Sequence, residues 1–408
     1  MDAIKEFIYS LKLGDKLSPF RNRNIAWFYL FMPALVLYLS VLMGIINRKP
    51  VVGTIEIFDA NYGATFLNHG KARIESISTG MNRTDGPLWI EEGDDSGLGY
   101  LVYSDTIQNR IFKWEEGKGF FTVGKTVLLK EAGCFSDAPQ CEALFEPGAA
   151  GLLRHPPPEY SPYTLELIAC QHGERAISYI KENGMQQPLV THFRSRRLNS
   201  PNDLVKTPEG HLLFTDPTIG LTLDDATTSN AQLPIQGVYL VRHEDIMTAI
   251  QDGKPVAGNA TVLVIKNLEV PNGLAFSPDY TKLYVSNCDL KNPYWRVYEV
   301  RDDGTGRLKD SEGDLFFNAS GLPNSNWGCP DGLKVDIHGN VYASGPGGVL
   351  VISPEGKLLA RLNLDRPVSN VAFGTDGKLY ITAKDIVARV SIKTRGVRVV
   401  TTSTKKKK

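Results

Sequence analysis

Pro271-Asn-Gly-Leu-Ala-Phe-Ser-Pro-Asp-Tyr-Thr-Lys-Leu-Tyr-Val-Ser-Asn287 holds the organising repeat of this chain in one short stretch. A polar residue and a glycine lead into an apolar run. Pro278-Asp279 then breaks the chain, and Lys282–Asn287 returns through β-forming side chains. That pattern predicts two antiparallel strands joined by a tight turn. Working outward, five further stretches repeat it. Asp85-Gly-Pro-Leu-Trp leads to Tyr100–Asp105, and Ala150-Gly-Leu-Leu to Leu165–Cys170. Asn202-Asp-Leu-Val leads to His211–Asp216, Asp331-Gly-Leu-Lys-Val to Asn340–Ser344, and Asn370-Val-Ala-Phe to Lys378–Thr382. Third strands are predicted at Arg110–Trp114, Val238–Arg242, Tyr294–Val300 and Val349–Ser353. Six such units predict an all-β protein, a six-bladed β-propeller. A large β-sandwich array is the alternative, but it does not require the same first residue in every unit. No helical periodicity of useful length is read after residue 50.

The first residue of each unit carries the functional signal. In a propeller the innermost strands line a central channel, so equivalent positions converge on one axis. Here they read Asp85, Ala150, Asn202, Asn272, Asp331 and Asn370. Carboxylates and amides crowded on an axis are costly unless a cation sits among them. Oxygen donors without His or Cys select a hard cation: calcium first, with magnesium, manganese or zinc as alternatives. The competing reading is that Asn and Asp merely initiate turns.

The chain has 408 residues, 42% of them hydrophobic and 22% charged, a globular composition. Its net charge of +0 hides an asymmetry. Residues 1–49 carry seven Lys/Arg and three Asp/Glu, and Lys405–Lys408 add four cations, which leaves the body about eight charges negative. An acidic body excludes nucleic acid as a partner.

Residues 25–46, IAWFYLFMPALVLYLSVLMGII, contain no charge and are long enough for a transmembrane helix. Lys5, Lys12, Lys16, Arg21 and Arg23 precede the run, while Arg48 and Lys49 follow it. That excess predicts a cytosolic segment 1–24, a signal anchor 25–46, a linker 47–69, and a lumenal or extracellular propeller 70–402 with a basic tail 403–408. Sequons at Asn82, Asn259 and Asn318 suit that side as glycosylation acceptors. Cys134 and Cys141 flank a short loop and are candidates for a bridge, whereas Cys170, Cys288 and Cys329 read as buried thiols.

Several motifs resemble the senescence marker protein/gluconolactonase family. They are Arg197-Leu-Asn-Ser-Pro-Asn-Asp203 with Phe214-Thr-Asp-Pro217, Pro271-Asn-Gly-Leu274, and Pro330-Asp-Gly-Leu333 with Gly345-Pro-Gly-Gly348. Luciferin-regenerating enzymes and diisopropylfluorophosphatase are similar. The resemblance covers about residues 70–400. It implies a catalytic metal ion held by Asp85, Asn202, Asn272 and Asp331, and hydrolysis of a small-molecule lactone or related ester, phosphotriesters included. It further implies Asp331 as general base or nucleophile, and a substrate oriented by Asn202. His172, in Cys170-Gln-His-Gly173, and Asn370 are added as substrate contacts. The family Glu is Asp85 here, a side chain about 1.5 Å shorter. Two other readings stand beside hydrolysis: a non-catalytic binding propeller with a structural calcium, and a strictosidine-synthase-like enzyme.

Overall fold

The computed structural model describes residues 49–67, 72–92, 98–116, 124–135, 141, 144–155, 165–221, 233–322 and 328–397. Within them, six antiparallel sheets of four or five strands follow one another along the chain. Their inner strands are Thr84–Glu91, Ala149–His155, Leu204–Lys206, Pro271–Phe276, Leu333–Val335 and Asn370–Phe373. These define blades 1 to 6. Each inner strand contacts the next, and the sixth returns to the first, which closes a six-bladed propeller.

The middle strands of the blades are buried on both faces, so they are continuous apolar runs rather than alternating ones, while outermost strands such as Lys125–Lys130 are largely exposed. Leu212–Asp216, Gly237–Val241 and Val341–Gly345 are buried at every position. Six hydrophobic clusters occupy the six seams. Tyr179 and Leu189 meet Leu204 and Tyr239 between blades 2 and 3. Trp295 and Tyr284 meet Leu333 and Leu350 between blades 4 and 5, and Tyr103 and Trp114 meet Tyr380 and Val387 where blade 1 meets blade 6. Burying one such side chain contributes about 1.5–3 kcal/mol.

The ends of the chain are tied by strand exchange. Glu75–Thr79, which precedes blade 1, is the outermost strand of blade 6. Part of the expected linker also has a structural role. Thr54–Ile57 adds a fifth strand to blade 5, where buried Arg361 bonds the Glu56 carboxylate at 2.7 Å. A helix, Ala60–Phe66, follows; Tyr62 buries its hydroxyl 2.8 Å from that of Tyr342. Four strand residues are too few to show a periodicity, so in sequence these segments look like linker. The helix His243–Asp252 corrects the expectation that no helix follows residue 50. Only Ile246 and Ala249 of it are buried, so its apolar stripe is too narrow to register in sequence.

The apolar run 25–46 lies outside the described residues. Among the described residues no helix is long and apolar enough to cross a membrane. Asn82, Asn259 and Asn318 are all exposed.

Cys134 and Cys141 are disulfide-bonded. Cys288 and Cys329 are not the separate thiols expected: they form a second bridge, with Cα atoms 4.8 Å apart. Propeller closure brings the end of blade 4's second strand against the entry to blade 5, and a separation of 41 residues hides that from sequence. Cys170 remains a buried free thiol. Thiol titration of the oxidised, denatured protein is therefore expected to count one free cysteine. The chain-entropy relation gives about 4 kcal/mol for a loop of this length, so Cys288→Ser/Cys329→Ser should lose roughly that much in urea unfolding.

Candidate metal and active site in the axial channel

Each inner strand begins with two residues set against a single residue of the second strand. In blade 3, Asn202 N–H donates to Thr215 O at 3.0 Å, while Thr215 N–H donates to Asp203 O at 3.0 Å. In blade 5, Asp331 N–H donates to Ser344 O, and Ser344 N–H to Gly332 O. This is a β-bulge. Its first residue is Asp85, Ala150, Asn202, Asn272, Asp331 or Ser369; the facing residue is Ser104, Cys170, Thr215, Ser286, Ser344 or Thr382. The four expected ligands, Asp85, Asn202, Asn272 and Asp331, thus occupy one register position in four blades.

Blade 6 departs from the sequence alignment. Ser369 N–H donates to Thr382 O and takes the first position, while Asn370 pairs with Thr382 as the second. Asn370 is therefore one step further along the channel than expected, level with Asp203. In blade 6 the serine before the asparagine, not the asparagine, holds the first bulge position. Asn370 Oδ1 lies 3.3 Å from Lys334 Nζ, which sits 4.0 Å from Asp203 Oδ2. Ser369 is spent on structure, its hydroxyl donating to Thr382 O at 3.1 Å.

The ring is buried and electrostatically crowded. Burial, and then the Asp203 carboxylate, raises Asp85 to about 6. Burial, and then the charge of Asp85, holds Asp331 well above the ordinary carboxylate range. Asn272 Oδ1 is buried with no hydrogen-bond donor among the described residues. An oxygen acceptor left bare beside two mutually repelling carboxylates fits a hard cation. No group of three or more His, Cys, Asp or Glu exists among the described residues, so the donor set depends on amide oxygens.

Three side chains border the ring on the side of blades 1 and 2, and sequence identified only one. Arg83 Nη1 bonds Glu146 Oε1 at 2.9 Å, and its charge lowers the pKa of both Asp85 and Asp331. His172 is fully buried, its Nδ1 3.9 Å from Glu146 Oε2, with neither ring nitrogen hydrogen-bonded among the described residues. Burial, and then Arg83, pushes His172 down to about 4. The Arg83–Glu146 pair spans 63 positions, and nothing local in the sequence signals it.

The fold and its axial oxygen donors define a channel-site propeller. The chain belongs to the family described as SMP-30/Gluconolactonase/LRE-like region, which matches residues 83–385. A gluconolactonase of Zymomonas mobilis is 32% identical over 332 residues, covering 79% of this chain and 82% of that one. A solved gluconolactonase of Xanthomonas campestris superposes with a TM-score of 0.63 at 27% identity, over 85% of this chain and 98% of that one. The calcium-binding protein regucalcin of Agrobacterium tumefaciens shares the fold, with a TM-score of 0.53 at 16% identity, over 79% of this chain and 94% of that one.

Because the folded pKa of His172 lies below its unfolded value of about 6.5, its neutral form favours folding above that pH. That contribution is lost as pH falls from 6.5 toward 4. The loss is on the order of 1.4 kcal/mol per unit. Urea unfolding of His172→Gln is expected to show a correspondingly flatter dependence over this range.

Proposed function

We propose that this protein is a calcium-dependent lactonase whose active site is the axial ring. The observation that carries the reading is the convergence of Asp85, Asn202, Asn272 and Asp331 at one register position, in a chain of the gluconolactonase family. The likeness to lactone-hydrolysing relatives favours a lactone or related ester as substrate.

Asp85, Asn202, Asn272 and Asp331 would hold the ion. When bound, it supplies Lewis-acid polarisation of a carbonyl oxygen. The remaining work falls to the chain. Asp331 takes the proton of the attacking water, the role implied by the family resemblance. The Asn202 amide orients the substrate. The ring is open at blade 2, where Ala150 presents no donor, and that gap is bordered by Arg83, Glu146 and neutral His172. Arg83, 40% exposed, is placed to stabilise negative charge developing on a substrate entering there.

The topology belongs to the same proposal. An uncharged run at 25–46 is long enough to anchor the chain. Two disulfides suit a propeller on the lumenal or extracellular side. Glycans at the exposed Asn82, Asn259 and Asn318 would accompany that placement.

Chelator is expected to abolish hydrolysis of a simple lactone such as δ-valerolactone, and added calcium to restore it. Asp331→Ala and Asn272→Ala should each lower kcat/KM by about two orders of magnitude or more. Full activity after chelation, or in Asp331→Ala, would sink the assignment. Alkaline carbonate extraction of membranes tests the anchor, which predicts that the chain stays in the pellet.

A further inference from the structure

The register that assembles the ring also fixes what lies beyond it. Two positions past the second bulge residue, the blades present Leu88, Leu153, Val205, Ala275, Lys334 and Ala372. The following layer includes Arg154, Lys206, Phe276 and Phe373. Both layers line one cavity of about 780 Å³, and none of the ring residues does. Equivalent residues from all six blades can surround a single space only on the axis. The cavity is therefore the other half of the channel, about 10 Å from the ring at the rise of a strand.

Its chemistry differs from the ring's. Most of the wall is apolar, but Arg154, Lys206, Lys334 and Arg395 line it, against Glu91 as the one carboxylate among the lining residues. Lys206 is the informative member, at only 9% exposed. Its hydrogen-bond partner among the described residues is His155 Nδ1 at 3.4 Å, an imidazole that burial and Lys206 push down to about 4. A buried ammonium facing a neutral ring, with no carboxylate in salt-bridge reach among the described residues, is a cation lacking its counter-charge. Lys334 also lines the space from blade 5, but its ammonium already lies 4.0 Å from Asp203 Oδ2, which leaves Lys206 as the cation without a carboxylate partner among the described residues.

We propose that this half of the channel binds an organic anion with a hydrocarbon body. The acidic head lies against Lys206, and the tail lies against Leu153, Val205, Phe276 and Phe373. The volume falls within the range of about 300–1,000 Å³ usual for small-molecule sites. A bare inorganic anion would leave the apolar wall unused, and a neutral hydrocarbon would leave the ammonium uncompensated.

The test is calorimetric titration of the full-length protein with decanoate, with 1-decanol and acetate as controls for tail and head. Decanoate is expected to bind at one site, at least about tenfold more tightly than either control. Lys206→Met should weaken it by about tenfold or more, and Lys206→Arg should retain it. Removing a buried uncompensated charge does not endanger the fold, and circular dichroism verifies this. Titration with 4-hydroxydecanoate separates two sources of such an anion: tighter binding than decanoate points to an opened lactone, equal binding to a fatty acid. Absence of decanoate binding, equal binding by Lys206→Met, or equal binding of 1-decanol would overturn the proposal. Lactone turnover measured on the same preparations keeps this outcome separate from that of the hydrolase reading.

Discussion

The structure depends on a hydrogen bond repeated around the axis. At the bulge of four of the six blades, the facing hydroxyl of the second strand donates to the first bulge residue's carbonyl in the next blade. Ser104 Oγ donates to Ala150 O at 2.8 Å, Thr215 Oγ1 to Asn272 O at 2.7 Å, Ser286 Oγ to Asp331 O at 2.9 Å, and Ser344 Oγ to Ser369 O at 2.7 Å. Each is worth about 1 kcal/mol net. Leaving one of these buried carbonyls unpaired would cost about 1–3 kcal/mol. Register is thus fixed where the ring side chains start, so the positions of the axial oxygens follow from the closure of the propeller rather than from a separate device.

The glycines serve the same joint. A Cβ at Gly86 would fall 2.1 Å from Ala150 O, and one at Gly273 would fall 2.3 Å from Asp331 O. At these two seams glycine lets one blade approach its neighbour's backbone closely. The Asp-Gly and Asn-Gly pairs therefore divide two tasks: the first residue offers oxygen to the axis, and the second lets the seam close. Where the second residue is not glycine, as at Asp203 and Asn370, a side chain points on along the channel toward Lys334 and begins the second, basic compartment. The Cys288–Cys329 bridge reinforces the seam between blades 4 and 5, two residues before Asp331.

This division explains what was legible in the sequence. The pattern of a polar residue leading into an apolar strand repeats because the joint repeats, so six blades and the four oxygen donors are legible in it. In blade 6 the phase is offset by one residue, from Asn370 to Ser369. The strands Thr54–Ile57 and Glu75–Thr79 were missed because their partners lie about 300 residues away, at the other end of the chain. The Arg83–Glu146 pair and the second disulfide escaped for the same reason. Lys206 and Lys334 were hidden otherwise. Each is an ordinary lysine in a strand, and only the register shows that both line one cavity.

Blade 2 is where the joint is weakest, and it is also where the ring is open. Ala150 offers the axis no oxygen, and the facing position is Cys170, whose thiol is a weak donor. Gly151 keeps the seam closed through its own N–H, which donates to Asn202 O at 2.7 Å. Blade 2 has therefore been released from both duties of the repeat, ligation and hydroxyl bonding, without losing its packing. The groups gathered beside it, Arg83, Glu146 and His172, are ones the repeat does not require. Under the proposed function, a blade that supplies no ligand is the one left free to shape the substrate's side of the channel.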